Sequence, residues 1–237
     1  MNEAEQLEAL QDRCKKDLKF LVTEVFKMRR WDDALHGGLV QVLEAPGDRK
    51  MILLPRGHQK STIVSVCWVI QQLLRDPNLR IKIISASWTL SKNILHQIKG
   101  LLEDSDLKAL FGSFFNRKIR KTQEYCDIAQ KTRKTIDPSL STGGITTGKT
   151  GSHCDILIFD DVVAPENTTT PELIRKTIDG YKDTLPLLDP GGIIVVIGTR
   201  YSLGDLYGYI IEEESQSING HYFETEEERK NWRKWVK

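Results

Sequence analysis

The chain has 237 residues, with 34 Lys+Arg against 33 Asp+Glu for a formal net charge of +1. That length suits one large domain or one domain with attachments, and the balanced charge excludes bulk electrostatics as a reason to bind nucleic acid. Cys14, Cys67, Cys126 and Cys154 are scattered, with no CxxC pair and no histidine at ligand spacing, which argues against zinc and for free thiols in a reducing compartment.

The N-terminus, MNEAEQLEALQDRCKKDLKFLVTEVF, has no continuous apolar core. It reads as neither a signal peptide nor a membrane span, so a soluble intracellular protein is expected. Leu7, Leu10, Leu18, Leu21, Val22 and Phe26 recur at roughly helical spacing and predict one or two amphipathic helices over 3–28. After HGG (His36 to Gly38) a further helix is expected to about Leu43, broken by APGD. From there strands and helices alternate. KMILL is read as a strand and 62–74 as a helix stopped by RDPN; RIKIISAS as a strand and 90–102 as a helix. CDILIFDD is a strand followed by a helix over 171–185, and GGIIVVIGT a strand followed by a helix over 203–213. Apolar runs without strict alternation predict strands buried on both faces, and the intervening helices predict a mostly parallel sheet. Residues 118–150 are irregular and Thr/Gly/Lys-rich, fitting a β-hairpin or loop. The terminal TEEERKNWRKWVK reads as a charged helix leading off the domain.

Charge is unevenly distributed. From Arg117 to Lys134, seven basic residues stand against Glu124 and Asp127, while acids concentrate at 212–214 and 224–228. Such a patch fits a polyanion or a solvated loop equally well from charge alone.

Four stretches could carry chemistry. In LLPRGHQKST a strand turns into a helix, bringing free backbone N–H groups and a positive helix end to one point, with Lys60 as a point charge for phosphates and Ser61 as a hydroxyl for Mg²⁺. The strict GxxxxGK[ST] pattern fails, because Leu54 and Gln59 stand where glycines belong; a structural turn fits the local spelling as well. In CDILIFDD four apolar residues feed Asp160 and Asp161, a pair too costly to bury without a cation or hydrogen bonds. In a nucleotide hydrolase Asp160 would bind Mg²⁺ through water and Asp161 would orient or deprotonate the attacking water; otherwise Asp161 caps a turn. In IIVVIGTRYS the strand ends in Gly198, Thr199 and Arg200, placed either to sense a γ-phosphate or simply to start a turn. GGITTGKTGSHCD contains a second GKT at Lys149, but the strand follows it instead of preceding it, so it is read as a loop entering the acidic strand.

Taken in order, these motifs resemble the N-terminal ATPase domain of the large terminase subunit of tailed bacteriophages. The residues that carry the resemblance are Arg56 four before Lys60 in PRGHQKST, then IISASWTLS, the approach IDPSLSTGGITTGKTGSHCDILIFDD, and VIGTRYSLGDLYG, together spanning most of 36–208. Gln59 replaces the family's usual glycine and Asp161 its usual glutamate. The resemblance implies an α/β P-loop NTPase of the RecA-like, additional-strand class, with a mostly parallel central sheet flanked by helices and an N-terminal helical extension. Its domains would be a helical segment over 1–45 packed on the core, the ATPase core over 46–215, and a linker over 216–237 toward an absent nuclease domain, so no nuclease activity is expected. ATP and Mg²⁺ are the implied cofactors. Pro55, Arg56, Gly57, His58, Gln59, Lys60, Ser61 and Thr62 would bind ATP; Lys60, Arg56 and Asp161 would be catalytic; Ser61 and Asp160 would organise the metal. Gly198, Thr199 and Arg200 would couple phosphate release to motion. Arg133 is the candidate for an arginine acting on a neighbouring subunit, ahead of Arg117 and Arg120. His36 and Gln41 lie where the resemblance places adenine contacts, though helix-surface roles are preferred for them. The implied partners are double-stranded DNA, a portal protein, a small terminase subunit and further copies in a ring, with a monomer in isolation, in the host cytoplasm at the prohead. Rival readings are a helicase-like translocating ATPase, a non-hydrolysing nucleotide switch or DNA-binding scaffold, and a small-molecule kinase.

Overall fold

The computed structural model describes residues 2–147, 151–201 and 204–214; Lys149 and the expected charged helix at the C-terminal end lie outside them. Helix α1 (Glu3–Lys16) opens on a reciprocal cap, in which Asn2 Oδ1 accepts from Glu5 N and Glu5 Oε2 accepts from Asn2 N. A short α2 (Leu18–Phe20) widens into a π-helical turn, Leu21–Val25. Helix α3 (Asp33–Glu44) begins earlier than expected, because Asp32 caps it by accepting from Leu35 N, so Gly37 and Gly38 fall inside it. Strand β1 (Arg49–Leu53) leads through the polar turn to a π-helical stretch, Thr62–Trp68, that continues as α4 (Val69–Arg75). Then come β2 (Ile81–Ser85), α5 (Trp88–Leu102) and α6 (Ser105–Phe111). The remaining elements are β3 (Tyr125–Cys126), β4 (Leu140–Gly144), β5 (Cys154–Asp160), α7 (Pro171–Thr184), β6 (Leu188–Gly198) and α8 (Leu206–Tyr209).

The strands form one six-stranded sheet in the order β1-β6-β5-β2-β4-β3, parallel throughout except for β3. The α/β class and the interposed strand of a P-loop NTPase are both present: β6 lies between the strand entering the phosphate loop and the strand ending in Asp160. Side chains alternate between two cores. Ile81, Ile83, Ile156, Ile158, Val195 and Ile197 face the core shared with α1–α6, whereas Ile84, Leu157, Phe159, Ile194 and Val196 face that of α7 and α8. Cys14, Leu18, Leu39 and Leu43 belong to the first core, so residues of 1–45 pack directly against the sheet's helices.

Two strand expectations need correction. β1 is not buried on both faces; it is an edge strand of the sheet among the described residues and alternates in burial. The 118–150 stretch is more than hairpin or loop, since Leu140–Gly144 joins the sheet interior, parallel to β2 and antiparallel to β3. Its composition hid it. A Cβ on Gly144 would meet Thr147 Oγ1 at 2.7 Å and Trp88 N at 3.0 Å, so the strand's end is glycine because the start of α5 crowds it.

Candidate active site

Parallel register gathers three strand ends. Leu53 pairs with Gly198 and Ile197 with Asp160, so the residues just beyond β1, β6 and β5 emerge side by side. Ligands of open α/β sheets bind at this carboxyl edge. Gly198 is required here, since an added Cβ would fall 1.9 Å from the Tyr207 hydroxyl, which accepts from Val163 N.

The turn after β1 places Gly57 at φ 84° and Gln59 at φ 53°. Gln59 therefore occupies the left-handed conformation that glycine adopts without cost. Its carbonyl accepts from Ile63 N, so the helix starts despite the substitution. Lys60 follows, 5% exposed, its Nζ donating to Thr199 Oγ1 at 3.0 Å and pairing with Asp161 Oδ2 at 3.2 Å. The Thr199 hydroxyl in turn donates a hydrogen bond to Leu54 O at 3.0 Å. Ser61 Oγ donates to Asp160 Oδ1 at 2.8 Å. Sequence positions 99 to 139 residues apart thus meet in one cluster.

Asp160 is 2% exposed, and its Oδ2 has no hydrogen-bond partner; neither has Asp161 Oδ1. Burial pushes the Asp160 carboxyl up to about 6, against the Ser65 and Ser61 hydroxyls and Lys60, while the neighbouring Asp161 charge adds to the rise. Asp161 itself sits at φ 45°, a strained backbone of the kind that clusters at functional sites. Two residues went unnoticed in the sequence. Ser65, one turn beyond Ser61, lies near enough to act on Asp160 yet forms no hydrogen bond, and Ser85 Oγ, on the strand neighbour of Asp160, is also buried without a partner. The four-residue step from Ser61 to Ser65 was the available signal.

An unpaired buried carboxylate oxygen beside a serine hydroxyl suits a hard cation such as Mg²⁺, which takes few protein oxygens and completes its shell with water and phosphate. Among the described residues no group of three or more His, Cys, Asp or Glu could hold a metal ion by itself.

The other expected residues are less concentrated. Pro55, Arg56, Gly57 and His58 form the exposed crest of the turn, with the Arg56 guanidinium carbon 5.5 Å from the Tyr201 ring centre. Thr62 opens the helix, and Arg200 is half-buried beyond Thr199. Arg133 lies at the opposite end of the strands, its N–H bonded to Asn78 Oδ1. Arg120 is held by Asp127 and the Ile136 carbonyl, while Arg117 is exposed. Gln41 is exposed, but His36 is not on the helix surface. His36 Nδ1 accepts from Asp32 N at 2.8 Å, which leaves the proton on Nε2, 3.3 Å from His58 O. Both ring nitrogens are therefore engaged, tying the start of α3 to the turn after β1, and neither is left for adenine.

No protein-family model matches the chain. Over 171 residues it is 32% identical to the large terminase subunit of Enterobacteria phage T3, covering 69% of this chain and 28% of that protein. The chain is a relative of phage terminase large subunits. It spans little more than a quarter of the length of the curated terminase it matches. Similar solved structures include the large terminase ATPase domain of Thermus phage P74-26, at TM-score 0.48 and 16% identity over 80% of this chain and 72% of that one. The Phi-28 gp11 DNA packaging motor overlaps at TM-score 0.45 and 13% identity over 85% and 56%. S. cerevisiae dbp5, solved with ADP, overlaps at 0.48 and 13% over 79% and 47%. Among the described residues no helix is long and apolar enough to cross a membrane.

Proposed function

We propose that this terminase relative hydrolyses ATP with Mg²⁺ and that the hydrolysis drives double-stranded DNA into a prohead, in the host cytoplasm. The observation that carries the reading is the convergence of Lys60, Asp161 and Thr199 beside the Ser61–Asp160 pair. Lys60 and Arg56 neutralise the phosphates, and the N–H groups of the 57–61 turn receive the phosphate oxygens. Ser61 and Asp160 hold Mg²⁺, which when bound screens charge on the phosphate oxygens. Asp161 orients water toward the γ-phosphorus and accepts its proton as ADP departs. Lys60 is engaged by Asp161 and Thr199, so a γ-phosphate competes for Lys60 and frees Asp161 to meet the water. Loss of that phosphate restores the Lys60–Thr199 bond, which makes Thr199, with Gly198 and Arg200 around it, the coupling element.

Portal protein, small terminase subunit and a homo-oligomeric ring are the partners of this role, and an arginine from the neighbouring subunit, Arg133 by choice, completes the charge neutralisation. The isolated chain is then a slow ATPase. Residues 46–215 would form its ATPase core and 1–45 a helical segment packed on it, while 216–237 lie outside the described residues. The test is ATP turnover with and without Mg²⁺: Lys60→Ala and Asp161→Asn should each abolish it, and turnover surviving both would exclude the mechanism.

A further inference from the structure

A groove of about 760 Å³ runs between α5 and the 121–123 segment. Thr89, Lys92, Asn93, His96 and Lys99 line it from one face of α5, at helical steps of three and four, and Lys121 with Thr122 and Gln123 closes the other wall. No carboxylate lines it. Three ammonium groups and a histidine therefore face a polar trough flanked by donors, outside the cluster around Lys60.

The cations differ in how firmly they are held. Lys99 is buried, donates to the Thr122 carbonyl and has its pKa lowered by burial, so it fixes the groove's wall. Lys92 reaches out to Glu124 at 3.1 Å and stacks over the Trp88 ring, and Lys121 reaches Glu103 at 2.5 Å. Both pairs are partly exposed to solvent, and such pairs contribute only about 0–1 kcal/mol. A phosphate entering the groove can take either lysine from its glutamate at little cost. Part of the basic segment that the sequence singled out is committed elsewhere, since Arg120 and Lys131 both close on Asp127. Lys121 is the member of that segment presented to the groove.

We infer that this groove seats the phosphate backbone of one strand of duplex DNA, with Lys92 and Lys121 as exchangeable phosphate contacts and Glu103 and Glu124 as their resting partners. The inference rests on the DNA-motor reading above and adds the surface on which the duplex lies. A backbone contact of this kind is indifferent to sequence and sensitive to salt.

The experiment is fluorescence anisotropy of a labelled random-sequence duplex against the chain, over a range of salt. The Lys92→Ala/Lys121→Ala double variant should weaken binding several-fold and flatten the dependence of log K on log salt by about 1.8, or 0.9 per lost phosphate contact. Glu103→Gln/Glu124→Gln should tighten binding, a result that mere unfolding cannot produce. Arg175→Ala/Lys176→Ala, on α7 across the sheet, should leave binding unchanged. If the groove variants bind like the unsubstituted chain while that chain binds duplex, the groove assignment is overturned and the motor reading stands. If the unsubstituted chain binds Mg·ATP but no duplex at low salt, both the groove and the DNA part of the reading fall.

Discussion

Replacing Asp160 by Asn should stabilise the ligand-free protein while disabling its metal site. Burial raises this carboxyl from 3.8 to about 6, which corresponds to at most about 3 kcal/mol of strain in the ionised form. Asparagine keeps an oxygen to accept from Ser61 and places an amide where Oδ2 now has no partner. The sign follows from proton counting. Between pH 3.8 and 6 the folded chain holds a proton that the unfolded chain has released, so this group's contribution to stability falls as pH rises through that window and is level above it. We expect no gain for the variant near pH 4 and about 2 kcal/mol at pH 8, or roughly 4–8 °C in melting temperature for a domain of this size. Circular-dichroism melts across pH, without nucleotide or Mg²⁺, measure it. A variant that melts below the parent at pH 8, or a gap that does not change with pH, would refute the reasoning.

Three further outcomes are expected from the described geometry. Gln59→Gly should change urea stability by under about 1 kcal/mol, because relief of the left-handed backbone offsets glycine's added unfolded-state entropy, whereas Gln59→Val should cost more than that. Arg80→Met should cost about 3 kcal/mol at pH 7, since Arg80, 8% exposed, holds Asp155, Asp189 and Asp137 together. Arg80 depresses the pKa of Asp155 and Asp189, so the parent's advantage should shrink on acidification, as denaturant curves at pH 3 and 7 will report. Gly198→Ala should cost about 1–3 kcal/mol in the same assay, as its methyl group displaces the Tyr207 ring.

β2, β5 and β6 are legible in their continuous apolar runs, and the turn after β1 is legible in Arg56, Lys60 and Ser61. β4 escaped because Leu-Ser-Thr-Gly-Gly is buried by its neighbours and not by its own hydrophobicity. Helix α3 was placed late because two glycines read as a break, although Asp32 had already capped the helix upstream. Lys60, Asp160 and Thr199 were each legible as strand-end chemistry, but the Lys60–Asp161 and Lys60–Thr199 contacts depend on strand order, which local pattern does not encode. The tie from His36 to the turn was illegible for the same reason, since it needs α3 to lie under a loop 22 residues away.

The most direct measurement is a crystal structure of the chain with a non-hydrolysable ATP analogue and Mg²⁺. The account predicts the triphosphate cradled by the 57–61 backbone, Lys60 shifted from Asp161 onto phosphate oxygen, and one metal shared by Ser61 and the side of the site where Asp160 stands. A nucleotide bound elsewhere, or one whose metal ignores both residues, would contradict it.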